Sequence, residues 1–212
     1  MVENENGVIG QHDMSPSDLT TFDTSWMDEG IVVSFSKRYP KHMEPNLLQS
    51  EPELKHVLSI CGITYTVDPL RCCMTLTTTR KEPDLTCKAK QLLQLLSVNI
   101  PAGAAFQLFN GRQSCLIKIG HQYGGLCSHF WISEEQFVER RKLLRDSREA
   151  LARLTSCEIF MLDEIIVVIG RSGVKRVKDM VKDCIVSNKP PAPKIMSAER
   201  NLAMKGVKAM RI

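Results

Sequence analysis

Six cations crowd one short stretch: Arg140, Arg141, Lys142, Arg145, Arg148 and Arg153, within RRKLLRDSREALARLTSC (140–157). Guanidinium forks and ammonium groups bind phosphate oxygens whatever the base sequence, so the chemistry suggested is contact with a polyanion, RNA being the commonest in a cell. The same residues also suit a solvated helix face. Arg141 falls on the Phe137/Leu144 side of a 3.6-residue period, where a structural partner competes for it. A second basic run, Lys175, Arg176, Lys178 and Lys182, is interrupted by Asp179 and Asp183, the mark of an ordinary exposed face.

Other reactive residue types converge less well. Cys127 and His129, with His121 nearby, fall short of the four ligands that zinc needs, so no metal site is expected. The pairs Glu134-Glu135 and Asp163-Glu164 fit a helix start and a strand turn. No Ser/His/Asp or Cys/His order stands out, so neither a catalytic residue nor a cofactor is expected. IGRSG (169–173) lacks a Walker lysine and reads as a strand-to-helix turn with Ser172 as its N-cap. Tyr123, Phe130 and Trp131 lie in HQYGGLCSHFWISEE, which reads as a long loop with a Gly-Gly turn. They offer base stacking or protein contact.

These residues need elements to hold them. The chain has 212 residues, 43% hydrophobic and 25% charged, enough for one sizeable core or two small ones. Its net charge of +4 is uneven: residues 1–60 carry four Lys/Arg against ten Asp/Glu, and residues 61–212 carry 24 against 14. Eight cysteines without a CxxC suggest a reducing compartment, nuclear or cytosolic. No apolar run approaches the roughly 18 residues of a membrane span, so no membrane is expected as partner, and with no catalytic order no small-molecule substrate is expected.

Along the chain, residues 1–30 read as a flexible acidic leader with Trp26 and Met27 as an anchor, and 31–50 as an extended connector. A short helix follows over 51–62, with Pro52 in its first turn and Gly62 as its stop. ITYTVD (63–68) and CCMTLTTT (72–79) alternate as a hairpin, and Leu85, Ala89, Leu92, Leu93 and Leu96 recur at helical spacing before a further helical run from Pro101. SCLIKIG (114–120) is a strand. A helix then runs from Gln136 to Leu144, and Asp146 to Glu149 read as a capping box that starts another, making Arg145-Asp146 a tight corner. CEIFML and EIIVVIG are strands, SGVKRVKDMVKDCIV a helix, and NKPPAPK a link to a terminal helix beginning near Ile195.

The order strand, two helices, two strands, helix is that of a eukaryotic-type KH domain. YPKHMEPNL, MTLTTTRK, IKIG, FVERR, LTSCEI and VVIG, in this order and spacing, resemble the KRR-type tandem-KH proteins of the small-subunit processome, over about residues 31–205. The resemblance implies an α/β (α+β) fold of two packed KH-like modules: a degenerate one over 51–111 and a second, type I (βααββα), over 112–188. The link and C-terminal helix occupy 189–212.

The resemblance also implies a non-catalytic ribosome assembly factor in the nucleus and nucleolus. Its partners would be small-subunit pre-ribosomal RNA and other assembly factors, with Tyr123, Phe130 and Trp131 serving protein contact. The family's second module carries a Gly-Pro-Lys-Gly loop between its first two helices. Between FVERR and LTSCEI this chain is about four residues shorter, and the GxxG itself is what is missing. Such a loop brings backbone amides close to a nucleic-acid backbone, so its loss argues against reading a short single strand and for holding a folded RNA by its phosphates.

Overall fold

The computed structural model describes residues 32–79 and 82–209, so the leader expected over 1–30, with Trp26 and Met27, lies outside the described residues. The first unit runs β1 (Val33–Arg38), a 3-10 turn (Lys41–Met43), α1 (Glu44–Ile60), β2 (Ile63–Asp68), β3 (Cys73–Thr78), α2 (Pro83–Leu96) and α3 (Ala102–Phe106). The second runs β4 (Gln113–Lys118), α4 (Leu126–Phe130), α5 (Glu134–Thr155), β5 (Glu158–Met161), β6 (Ile165–Gly170) and α6 (Val174–Ser187). Helix α7 (Pro191–Ala209) follows. No helix among the described residues is long and apolar enough to cross a membrane.

The hairpin forms as its alternation requires. Ile63 and Tyr65 point into the core, Thr64 and Thr66 to solvent, and the Asp68 carboxylate accepts from the amides of Leu70 and Arg71 to tighten the turn. The expected connector over 31–50 is instead β1 and the opening of α1. In VSFSKR, Val33 and Phe35 face inward, and Phe35 aligns with Leu76 of β3, which aligns in turn with Tyr65 of β2. Helix α1 starts eight residues before Pro52. Leu47, Leu54 and Leu58 are buried along one side and hold the helix through the proline, which is exposed, so water can reach the carbonyl its missing N–H leaves free. Gly62 ends the segment, as expected, at a φ of 72°.

Both sheets are antiparallel and share one order, with the third strand central: β1-β3-β2 and β4-β6-β5. The second sheet is buried on both faces. Ile166 and Val168 pack with Phe137, Leu144, Val177 and Val181 under the helices, whereas Val167 and Ile169 join the core of the first unit with Leu92, Leu96 and Leu108. All four β6 side chains are at most 1% exposed. The continuous apolar run of EIIVVIG is what a strand covered on both sides needs.

Two expectations about helices are corrected. The helix over 136–144, the corner at Arg145-Asp146 and the following helix are one continuous helix, α5, of 22 residues. Phe137, Leu144, Ser147, Leu151 and Thr155 are all buried, so a single inward face runs through the supposed corner, and Asp146 and Glu149 stand exposed in mid-helix. The capping box lies at Ser133, whose hydroxyl accepts from the Gln136 amide while the Gln136 side chain accepts from the Ser133 amide. The long loop before it contains α4, so the order βααββα stands with α4 and α5 as its two helices.

The N-cap of α6 is Gly173, with no side-chain cap, in place of the expected Ser172. Its φ of +85° suits glycine, and a Cβ there would lie 2.7 Å from the Thr155 carbonyl oxygen. Helix α7 begins at Pro191, inside the expected link, because proline suits a first helical turn. Ile195 seats it against Leu151 and Met180.

Two measurements check this architecture. Ser133→Ala should cost about 0.5–2 kcal/mol in urea unfolding, and Asp146→Ala no more than about 0.5 kcal/mol; the reverse ranking would restore the capped corner. Ile169→Ala should cost roughly 2–5 kcal/mol and shift one transition common to both units. Two separate transitions would mean that the core is not shared.

Candidate nucleic-acid interface

Helix α5 carries all six predicted phosphate contacts, and its packing sorts them. Arg140 points inward: its guanidinium donates to the Ile185 carbonyl at 2.6 Å and the Val186 carbonyl at 3.4 Å, closing the C-terminal end of α6. Arg141 reaches the β5–β6 turn, donating to Asp163 Oδ1 at 3.0 Å and the Leu162 carbonyl at 3.4 Å. It therefore has the structural partner that its position on the period suggested.

The remaining four are exposed. Arg145 and Arg148 lie one and two turns beyond Arg141 on the same flank, the side of α5 that Arg141 ties to the β5–β6 turn. Arg148 also sits 3.6 Å from its chain neighbour Glu149, a contact too exposed to fix it. Lys142 and Arg153 stand on the outward crest among Glu135, Glu139, Asp146 and Glu149, where the signs are mixed. The structure thus concentrates free positive charge at Arg145 and Arg148 and does not bring the six into one patch.

Beside that flank runs β5, an edge strand. The Leu162 amide donates to Ile165 O at 2.9 Å, and antiparallel alternation then turns the N–H and C=O of Phe160 and Glu158 toward β6. Ile159 and Met161 consequently direct their backbone groups outward from the sheet. Guanidinium groups on the flank and backbone donors and acceptors on the strand edge beside it are the two kinds of group that contact a phosphodiester chain. Between α4 and α5 stand Trp131, Ile132 and Ser133, so no glycine lets a backbone approach there either. Sequence reasoning missed the β5 edge because backbone groups have no charge signature.

The predicted aromatics reach solvent. Trp131 is 93% exposed at the left-handed C-cap of α4 and Tyr123 is 75% exposed. Phe130, also exposed, packs edge-on to His129, with the Lys182 ammonium 5.8 Å from its ring centre. A bulky residue held at a φ of 53° is conformationally costly, by about 1–3 kcal/mol, and here it displays an indole to water. Cys127 is buried, and burial pushes its thiol up to about 11; burial does the same to Cys184. Both thiols stay protonated at neutral pH and are poor nucleophiles. His121 sits 2.8 Å from the Ile132 carbonyl and 3.1 Å from Glu134, bracing the start of α5.

The fold has counterparts among solved structures. A protein of unknown function from Aeropyrum pernix matches with a TM-score of 0.63 at 13% identity, covering 85% of this chain and 98% of that one. A chain of the a/eIF2alpha–aDim2p–rRNA complex from Pyrococcus horikoshii gives 0.62 at 15% identity, covering 82% and 96%. Dim2p from the same organism gives 0.60 at 15% identity, covering 79% and 98%. The chain is thus a mixed α/β protein with the KH-like fold of Dim2p; the likeness does not single out the KRR type. No protein-family model matches the chain.

Truncation separates the inward arginine from the outward ones. Arg140→Met should lower unfolding stability by roughly 1.5–3 kcal/mol, since it removes a charged donor from the end of α6. Arg145→Met should change it by no more than about 0.5 kcal/mol. Equal effects would contradict this division of roles.

Proposed function

We propose that this chain is a non-catalytic assembly factor of the small ribosomal subunit that holds folded pre-ribosomal RNA by its phosphates. The observation that carries the proposal is the free cationic flank of Arg145 and Arg148 beside the open edge of β5, within a fold shared with Dim2p. That protein was crystallised together with rRNA. The resemblance of FVERR, LTSCEI and the other segments to the KRR-type proteins supplies the finer assignment, including work in the nucleolus with other assembly factors.

In this reading guanidinium forks take phosphate oxygens, and the outward groups of Ile159 and Met161 meet the sugar and base edges of whichever nucleotide lies there. Without a glycine loop the grip does not depend on sequence, which disfavours a regulator reading short single strands. The exposure of Trp131 favours a second role for the α4–α5 corner, contact with a neighbouring protein. If that contact were the whole function, the protein would be an adaptor that does not bind RNA.

Binding to a structured small-subunit rRNA fragment, measured across a salt series, decides between these. A log-log slope of about −0.7 to −0.9 per phosphate contact is expected, and Arg145→Glu with Arg148→Glu should weaken binding and flatten the slope by about 1 per residue. No binding by the unaltered chain would leave the adaptor. A tagged copy should enter the nucleolus and co-sediment with pre-small-subunit particles.

A further inference from the structure

The second basic run has a direction that its sequence conceals. On α6, Lys175, Lys178 and Lys182 recur at steps of three and four residues, so they share one flank over about 10 Å of helix. All three are exposed. The acids that interrupt the run turn elsewhere: Asp179 and Asp183 line, with Arg176, the groove between α6 and α7, where Asp183 pairs with Lys194. Signs that are mixed along the chain are thereby sorted around the helix. Among the described residues no carboxylate pairs with Lys175, Lys178 or Lys182.

Helix α4 borders this flank. It packs on α6, and its Phe130 holds the Lys182 ammonium 5.8 Å from the ring centre. The face of an aromatic ring attracts a cation without neutralising it, so Lys182 is restrained and the flank keeps three full charges. Lysine is depleted in the cores of protein–protein interfaces. A row of unneutralised ammonium groups, each a compact point charge, suits the oxygens of successive phosphates instead.

We propose that the Lys175–Lys178–Lys182 flank of α6 is a second RNA-contact surface, which takes backbone phosphates. The assignment to RNA rests on the function proposed above, and the flank adds a constraint on the ligand. Helix α6 lies on β4 and β6, and α5 on β5. The arginine flank stands on the side of the β5–β6 turn and the lysine flank on the side of α4. Two packed helices separate them, a width of roughly 20 Å. A short strand along β5 reaches the arginines alone, whereas a folded RNA with separate backbone segments reaches both flanks.

The experiment uses the full-length chain and a structured small-subunit rRNA fragment, in two arms. In the first, binding is measured across a salt series for the triple variant Lys175→Gln/Lys178→Gln/Lys182→Gln, for the corresponding triple Arg variant, and for a control, Lys41→Gln/Lys55→Gln/Lys88→Gln, with changes confined to the first unit. Unchanged circular dichroism confirms folding. The α6 Gln triple should flatten the log-log slope by about 1 per lysine, the Arg triple should preserve it, and the control should change it little. Equal flattening by the control overturns the flank, because net charge alone then accounts for the effect.

An unchanged slope in the α6 Gln triple overturns the flank and leaves the arginines of α5 standing. If that triple binds RNA normally yet no longer co-sediments with pre-small-subunit particles, the flank serves a protein and the RNA assignment fails. No RNA binding by the unaltered chain overturns the inference together with the proposed function. In the second arm, lysines are acetylated with and without the RNA and read by mass spectrometry. Bound RNA should protect Lys175, Lys178 and Lys182 several-fold more than Lys41, Lys55 and Lys88; uniform protection overturns the flank.

Discussion

The sheet of β4, β6 and β5 is buried on both faces, and the rest of the molecule depends on that constraint. A strand whose consecutive residues all face apolar partners cannot lie at a surface, so β6 must be central in its sheet and the sheet must be central in the chain. One face is closed by α5 and α6, the other by the first unit. Because Val167 and Ile169 complete the core that Leu92 and Leu96 begin, the two units cannot shift past each other without opening that core. The fixed relation sets α5, with its arginine flank, and the first unit on opposite faces of one layer.

Where local pattern and tertiary demand agree, the sequence was readable. The β2–β3 hairpin, the β6 run and the inward face of α6 carry periodicities that burial then uses. Where they disagree, burial decided. Asp146 to Glu149 imitate a helix start, yet Leu144, Ser147 and Leu151 continue one buried face across them, and packing of that face outweighs a cap worth about 1 kcal/mol. Pro52 imitates a first turn in the same way and is carried within α1 by buried leucines on either side. The strand in VSFSKR was visible as alternation and was masked by the charged and proline-rich residues after it.

The candidate site was legible in residue type and not in direction. A basic stretch announces itself in a sequence, but the partner of Arg140 is a carbonyl 45 residues away and that of Arg141 a turn 22 residues away. Helix α5 therefore spends two of its six cations on holding the second unit together. The position that a KH domain gives to its glycine loop holds an exposed tryptophan instead, so close backbone approach is replaced by a large apolar surface.

The unbroken course of α5 has a mechanical consequence. At 1.5 Å per residue, 22 residues make a rod about 33 Å long, with Trp131 just before its start and Arg153 in its last turn. A two-helix corner with a loop would bend under load, whereas this rod, braced along one side by α6 and α7, keeps its length. Whatever docks at the aromatic end and whatever is gripped at Arg145 and Arg148, 11 and 14 residues along from Glu134, are therefore held at a set separation of about 20 Å, and the helix works as a ruler between them.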